Sequence, residues 1–129
     1  MKILLDTAAF WWIASGSTRL SQRSAAVFAD PANDIALSPV SLWELLVKNQ
    51  IGKLPTSIPI IELLTRARQE RLIRTLPVIE SAVLRLASLP PLHRDPFDRM
   101  LICQALDEGM TLLTPDDQVR AYPVPTLWE

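Results

Sequence analysis

The chain predicts a three-layer α/β/α sandwich around a central, mainly parallel sheet, formed as a single domain over residues 1–129. Three observations carry this expectation. Short apolar runs alternate with helix-length segments from one end to the other, the pattern of a sheet whose parallel strands are joined by helices. Helix starts and stops are written out in Ser-Pro, Asp-Pro and Gly signals. Hydrophobic residues make up 49% of the 129 residues, at the high end for a soluble protein, which suits a sheet covered on both faces.

Each element follows from local chemistry. Lys2 to Leu5 reads as a short buried strand, followed by a helix from Thr7 to about Ala14 and a Ser15-Gly16-Ser17 turn. Ser21 is a cap for a helix reaching Ala29. A loop from Asp30 to Asp34 leads to a strand at Ile35–Leu37. Ser38-Pro39 combines a cap with a first-turn proline, so a helix runs to about Asn49. Pro55 and Pro59 bracket a connection to a basic amphipathic helix over Ile60–Arg71. A strand at Ile73–Leu76 and a helix at Ile79–Leu86 follow, then the rigid linker Leu89-Pro90-Pro91-Leu92. Asp95-Pro96 opens a helix to Glu108, and Gly109 stops it. Thr111–Thr114 is a strand, Asp116–Arg120 a helical turn, and Val124–Leu127 a last strand. There are no internal repeats.

Composition removes several classes of function. The single cysteine, Cys103, excludes an internal disulfide and reads as a small buried hydrophobe in a helix. Asp6 interrupts the apolar N-terminus, and no uncharged run reaches the ~18 residues of a membrane-spanning helix. The expected location is cytoplasmic. One histidine, His93, excludes a two-histidine nuclease mechanism and argues against a histidine-rich zinc site. It reads as a loop residue near the site. Three glycines leave no phosphate-cradling Gly-rich loop. The formal net charge of −1 gives no global pull on nucleic acid. Ten of the thirteen basic residues are arginine, and Arg66, Arg68, Arg71 and Arg74 crowd one segment. That segment is either a phosphate-binding surface or a solvated helix face.

Four acids stand at the edges of apolar segments: Asp6, Glu44, Asp98 and Asp116. In a parallel sheet, ligands bind beyond the carboxyl ends of the strands. Asp6 and Asp116 follow predicted strands directly. Glu44 lies one to two turns into a helix that follows a strand, and Asp98 lies in the first turn of another. Each has a local alternative. Asp6 can cap the helix after it, and Glu44 can pair with Lys48 at i+4. Asp98 can sit at N3 of the helix capped by Asp95, though its face continues through Ile102 and Leu106. Asp116 and Asp117 compete to cap one short helix. Thr7 and Thr114 can orient the acids through their hydroxyls. Four acids gathered at one edge repel one another, and a divalent cation with oxygen ligands, Mg²⁺ or Mn²⁺, relieves that. Trp11, Trp12 and Trp43 are expected in the core, with base stacking as the alternative.

The segments Leu4-Leu5-Asp6-Thr7, Ser38-Pro39-Val40-Ser41-Leu42-Trp43-Glu44, His93-Arg94-Asp95-Pro96-Phe97-Asp98-Arg99 and Thr114-Pro115-Asp116 together resemble the PIN-domain ribonucleases. The likeness to VapC-type toxins of bacterial toxin–antitoxin pairs covers essentially the whole chain in order. The resemblance implies a Mg²⁺-dependent endoribonuclease with an α/β/α fold, acting on RNA. It implies that Asp6, Glu44, Asp98 and Asp116 form the acidic site with Asp95 adjacent, and that a homodimer is silenced by a cognate antitoxin protein. Asp117, Thr7, Thr114 and Arg99 are accessory candidates, Arg99 or the Arg66–Arg74 helix as a contact to flanking phosphates. Two other readings compete: a catalytically idle PIN-like binding module, and an aspartate phosphoacceptor receiver domain. The second needs a lysine after a late strand, and none follows Lys53.

Overall fold

The structure, a computed structural model, describes residues 1–129. Five strands, β1 (Lys2–Leu5), β2 (Asp34–Leu37), β3 (Arg74–Thr75), β4 (Thr111–Leu113) and β5 (Thr126–Leu127), form one sheet in the order β3-β2-β1-β4-β5. Every pairing is parallel, with Leu4 opposite Ala36 on one side and Leu112 on the other. The chain moves outward from β1 through β2 to β3, then returns to add β4 and β5 on the other side. The strand order therefore reverses between β1 and β4, the place where such sheets open a crevice.

The strands sort their side chains by alternation. Ile3, Leu5, Ile35, Leu37 and Leu113 face one core, with Phe10, Leu45 and Leu64. Leu4, Ala36 and Leu112 face the other, with Leu101, Ile102, Cys103 and Ala105. The helices are α1 (Thr7–Ser15), α2 (Gln22–Ala29), α3 (Pro39–Gln50), α4 (Ile60–Arg71), α5 (Glu80–Leu84), α6 (Pro96–Glu108) and α7 (Asp117–Arg120). Residues of α1, α3 and α4 build the first core and α6 the second, giving the three layers the sequence predicts. No helix is long and apolar enough to cross a membrane.

Caps fix the helix starts where the sequence signals them. Ser21, Ser38 and Asp95 each accept a backbone N–H of the helix they open. Gly109 takes the left-handed conformation (φ 63°) that ends α6, a geometry glycine adopts without a Cβ penalty. Several elements are shorter than expected. β5 begins only at Thr126, because Pro123 and Pro125 have no N–H to donate to a ladder. β3 is reduced to Arg74–Thr75, and Leu76 donates one more bond to Leu37 before Pro77. The helix expected to reach Leu86 ends at Leu84 and tightens into a 3₁₀ turn, Arg85–Ala87.

Candidate active site

The acids converge at the β1/β4 switch. A cleft of about 310 Å³ is lined by Asp6, Glu44, Asp98 and Asp116, with Asp95 and Lys48 among its other walls. Each acid arrives by a separate device. Asp6 follows β1 and caps α1, its Oδ1 accepting from Ala9 N at 2.7 Å, and it is only 4% exposed. Asp116 follows β4 and caps α7 through Gln118 N at 2.8 Å. Asp98 occupies the first turn of α6, and its Oδ2 lies 2.9 Å from His93 Nε2. Glu44 projects from α3, buried, with Thr7 Oγ1 at 2.6 Å from Oε1 and Lys48 Nζ at 2.7 Å from Oε2. The local alternatives are thus compatible with the cleft: these acids cap or pair and still face it.

Electrostatics separate the acids. Burial pushes Asp6 from 3.8 up to about 7, and the charges of Asp98 and Glu44 push the same way. A hydrogen bond from Thr114 and the Ala9 N–H pull against that rise. Burial also pushes Asp98 up to about 6, against the pull of His93, with Asp95, Glu44 and Asp116 adding repulsion. Burial pulls Lys48 down, but its bond to Glu44 and the charges of Glu44, Asp95 and Asp98 together hold it above the usual lysine range. Two carboxyls in a shared cleft thus resist ionising, which marks the cleft as a candidate functional site.

A PIN-domain family model matches residues 3–125. The chain belongs to the PIN-domain family. It is 28% identical over 131 residues to ribonuclease VapC22 of Mycobacterium tuberculosis, with 98% of each chain covered. Among solved structures, VapBC2 from Rickettsia felis bound to a DNA fragment from its promoter superposes with a TM-score of 0.73 at 17% identity, all of both chains covered. VapBC-5 from Mycobacterium tuberculosis gives a TM-score of 0.63 at 20% identity, covering 99% of this chain and 98% of that one. At such identities the two structures speak for the fold.

Within this PIN domain the remaining candidates divide. Asp95 lines the cleft but accepts from Phe97 N (2.8 Å) and Asp98 N (3.2 Å), so one of its oxygens is committed to capping α6. Asp117 stays out of the cleft, its side chain 95% exposed and 3.6 Å from Arg120 Nη1. Asp116 is therefore the member of the pair that faces the other acids. Thr7 and Thr114 act as orienting hydroxyls: Thr7 donates to Glu44, and Thr114 bonds Asp6 while accepting from Asp116 N at 3.1 Å.

Arg99 is not brought to the cleft. Its guanidinium donates to Pro90 O at 2.9 Å and to the Tyr122 hydroxyl at 3.0 Å, so it braces the loop before α6 and does not reach towards a phosphate. Of the tryptophans, Trp11 and Trp12 pack against the first core as expected and only Trp43 departs. Trp11 and Trp12 are half-buried on the cleft wall, and Trp12 leans on Trp128 with centroids 5.6 Å apart. Trp43 is 61% exposed and meets Phe97 edge-on at 4.7 Å, because the residues on either side of it turn the inward face of α3 away.

His93 stands near the site, as expected from the sequence. Lys48, Ser41 and Tyr122 are polar parts of this region that the sequence did not single out as site residues. Only Lys48 left a signal, its i+4 spacing from Glu44. The others meet the site through contacts between distant segments, as Tyr122 does with residues 29 and 30 positions earlier.

Proposed function

We propose that the protein is a metal-dependent endoribonuclease and the toxin of a toxin–antitoxin pair, using Mg²⁺ or Mn²⁺. The single observation that supports this most is the cleft in which Asp6, Asp98, Asp116 and Glu44 meet while burial holds the first two well above the usual carboxylate range. The donor set fits the ion. Carboxylate oxygens are hard ligands suited to Mg²⁺ and Mn²⁺, and their mutual repulsion is what a cation relieves. Asp6, Asp98 and Asp116 would hold it. Glu44 enters mainly as charge, since Thr7 and Lys48 already occupy its two oxygens. When bound, the ion supplies Lewis acidity at the phosphodiester and at the attacking water.

The chain's own groups do the rest. The Ala9 N–H fixes one oxygen of Asp6, and Thr114 orients that carboxylate. Lys48, anchored on Glu44 and half-exposed at the cleft wall, is the cation positioned to meet a phosphate oxygen. The expected products of in-line hydrolysis are a 5′-phosphate and a 3′-hydroxyl.

The toxin role and the antitoxin partner follow from the likeness to VapC22 and to VapBC assemblies. A homodimer is supported by an apolar groove of about 430 Å³ around Trp43, Pro39, Pro96 and Met100, adjoining the caps of α3 and α6. Purified protein incubated with structured RNA should cleave it with Mg²⁺ or Mn²⁺ and stop on addition of EDTA. Cleavage without metal, or full activity in Asp98→Asn, would overturn the reading.

A further inference from the structure

We propose that His93 is a nitrogen ligand to the cation at this site and biases it towards Mn²⁺ over Mg²⁺. The inference rests on the metal-dependent reading above and adds a donor type that an all-carboxylate site lacks. His93 Nε2 stands 2.9 Å from Asp98 Oδ2 and 4.0 Å from Asp116 Oδ2. One donor atom from each of the three residues lies within 4.8 Å of the others. Donors about 2.1 Å from an octahedral ion are roughly 3 Å apart when adjacent and about 4.2 Å apart when opposite. A small contraction lets the three share one ion.

The ring is held there by construction. The Tyr122 hydroxyl, on a residue only 3% exposed, receives the backbone N–H of Leu92 at 3.0 Å and of His93 at 2.8 Å. Arg99 donates to the same hydroxyl at 3.0 Å and to Pro90 O at 2.9 Å. Pro90 and Pro91 stiffen the approach. The peptide of His93 is thereby fixed by contacts from two other segments, and its side chain is 14% exposed. A loop ligand pinned at its own backbone loses little freedom on binding.

The chemistry sets the direction. Mg²⁺ takes oxygen ligands and strict geometry, whereas imidazole suits first-row transition ions. Replacing one oxygen by His93 Nε2 should raise the preference for Mn²⁺. The test uses the full chain without RNA. Mn²⁺ is titrated by loss of the free-ion paramagnetic resonance signal and then displaced with Mg²⁺, and nitrogen modulation of the bound-Mn²⁺ spin echo is recorded.

The expected result is histidine nitrogen modulation in the wild type that is absent in His93→Gln. Mn²⁺ affinity should fall roughly tenfold or more in that variant, with a smaller change for Mg²⁺. His93→Asn, checked by its melting curve, guards against a folding defect in one variant. Bound Mn²⁺ without nitrogen modulation, or an unchanged Mn²⁺:Mg²⁺ ratio in both variants, overturns His93 ligation and leaves the nuclease reading intact. Failure of the wild type to bind Mn²⁺ at all overturns both.

Discussion

The arginines of α4 and β3 and the acids of the cleft are both crowds of like charge, and their surroundings differ. Arg66 pairs with Glu62 at 2.8 Å, Arg74 with Asp34 at 2.8 Å, and Arg68 donates to Ile73 O and Thr75 Oγ1. These pairs sit in solvent, where such bonds contribute little. The acids are drawn under the surface and face one another, and burial raises two of them. Charges dispersed and paired are a solvated surface. Charges forced together carry an unfavourable energy that a ligand of opposite sign removes.

Replacing an acid tests that contrast most severely. Asp6→Asn should reduce RNA cleavage by at least about 100-fold while stabilising the metal-free protein by about 1–3 kcal/mol at pH 8, since a neutral amide keeps the α1 cap and sheds the buried charge. Single-turnover cleavage and urea unfolding measure the two effects. A variant that is both inactive and destabilised would break the comparison.

Next in size is pH. The folded-state values of about 7 for Asp6 and about 6 for Asp98 lie above the ordinary 3.8, so between those limits the folded chain binds more protons than the unfolded one. Stability contributed by these two groups is therefore present at low pH and falls as pH rises from about 4 to about 7. Unfolding free energy of the metal-free protein should decline by several kcal/mol, up to roughly 7, from these two groups across that window, and saturating Mn²⁺ should flatten the decline. A smaller decline through the window in Asp6→Asn than in the wild type would isolate the share of Asp6.

Lys48→Met leaves Glu44 buried without its cation. The expected loss is roughly 1 kcal/mol, moderated because Lys48 is half-exposed. Thermal melts of the single variant and of a double variant with Glu44→Gln separate the pair from its parts. The smallest effect belongs to the arginines: Arg66→Ala and Arg74→Ala should each shift stability by less than about 0.5 kcal/mol. A larger change in either, or a change in the salt dependence of RNA binding, would show that the basic surface does more than face water.

How much of this was legible depends on whether the signal is local. Ser38-Pro39 and Asp95-Pro96 specify helix starts by their own chemistry, and α4 spans the expected Ile60–Arg71. Asp6 and Asp116 were legible because a residue just after a parallel strand is carried to the sheet edge, whatever else it bonds, and Glu44 and Asp98 because each lies near the start of a helix. The choice between Asp116 and Asp117 was not, because either side chain can cap a short helix. Only the backbone of Asp116 takes the extended cap geometry (φ −81°, ψ 116°). Tyr122 acts through contacts across the fold, and no spacing along the chain announces it; Arg99 was singled out, but its bond to Tyr122 was not. Trp43 was misjudged because hydrophobicity alone does not say which way a helix turns.

Cys103 lies fully enclosed, at 0% exposure, in the α6 core beneath the cleft-forming turn. A thiol reagent can reach it only when that helix leaves the sheet. Its labelling rate is therefore a built-in clock of opening, read without RNA, partner or added dye. Because Asp98 is rooted in the same helix, any ion that grips the acids should slow that clock in proportion to its grip.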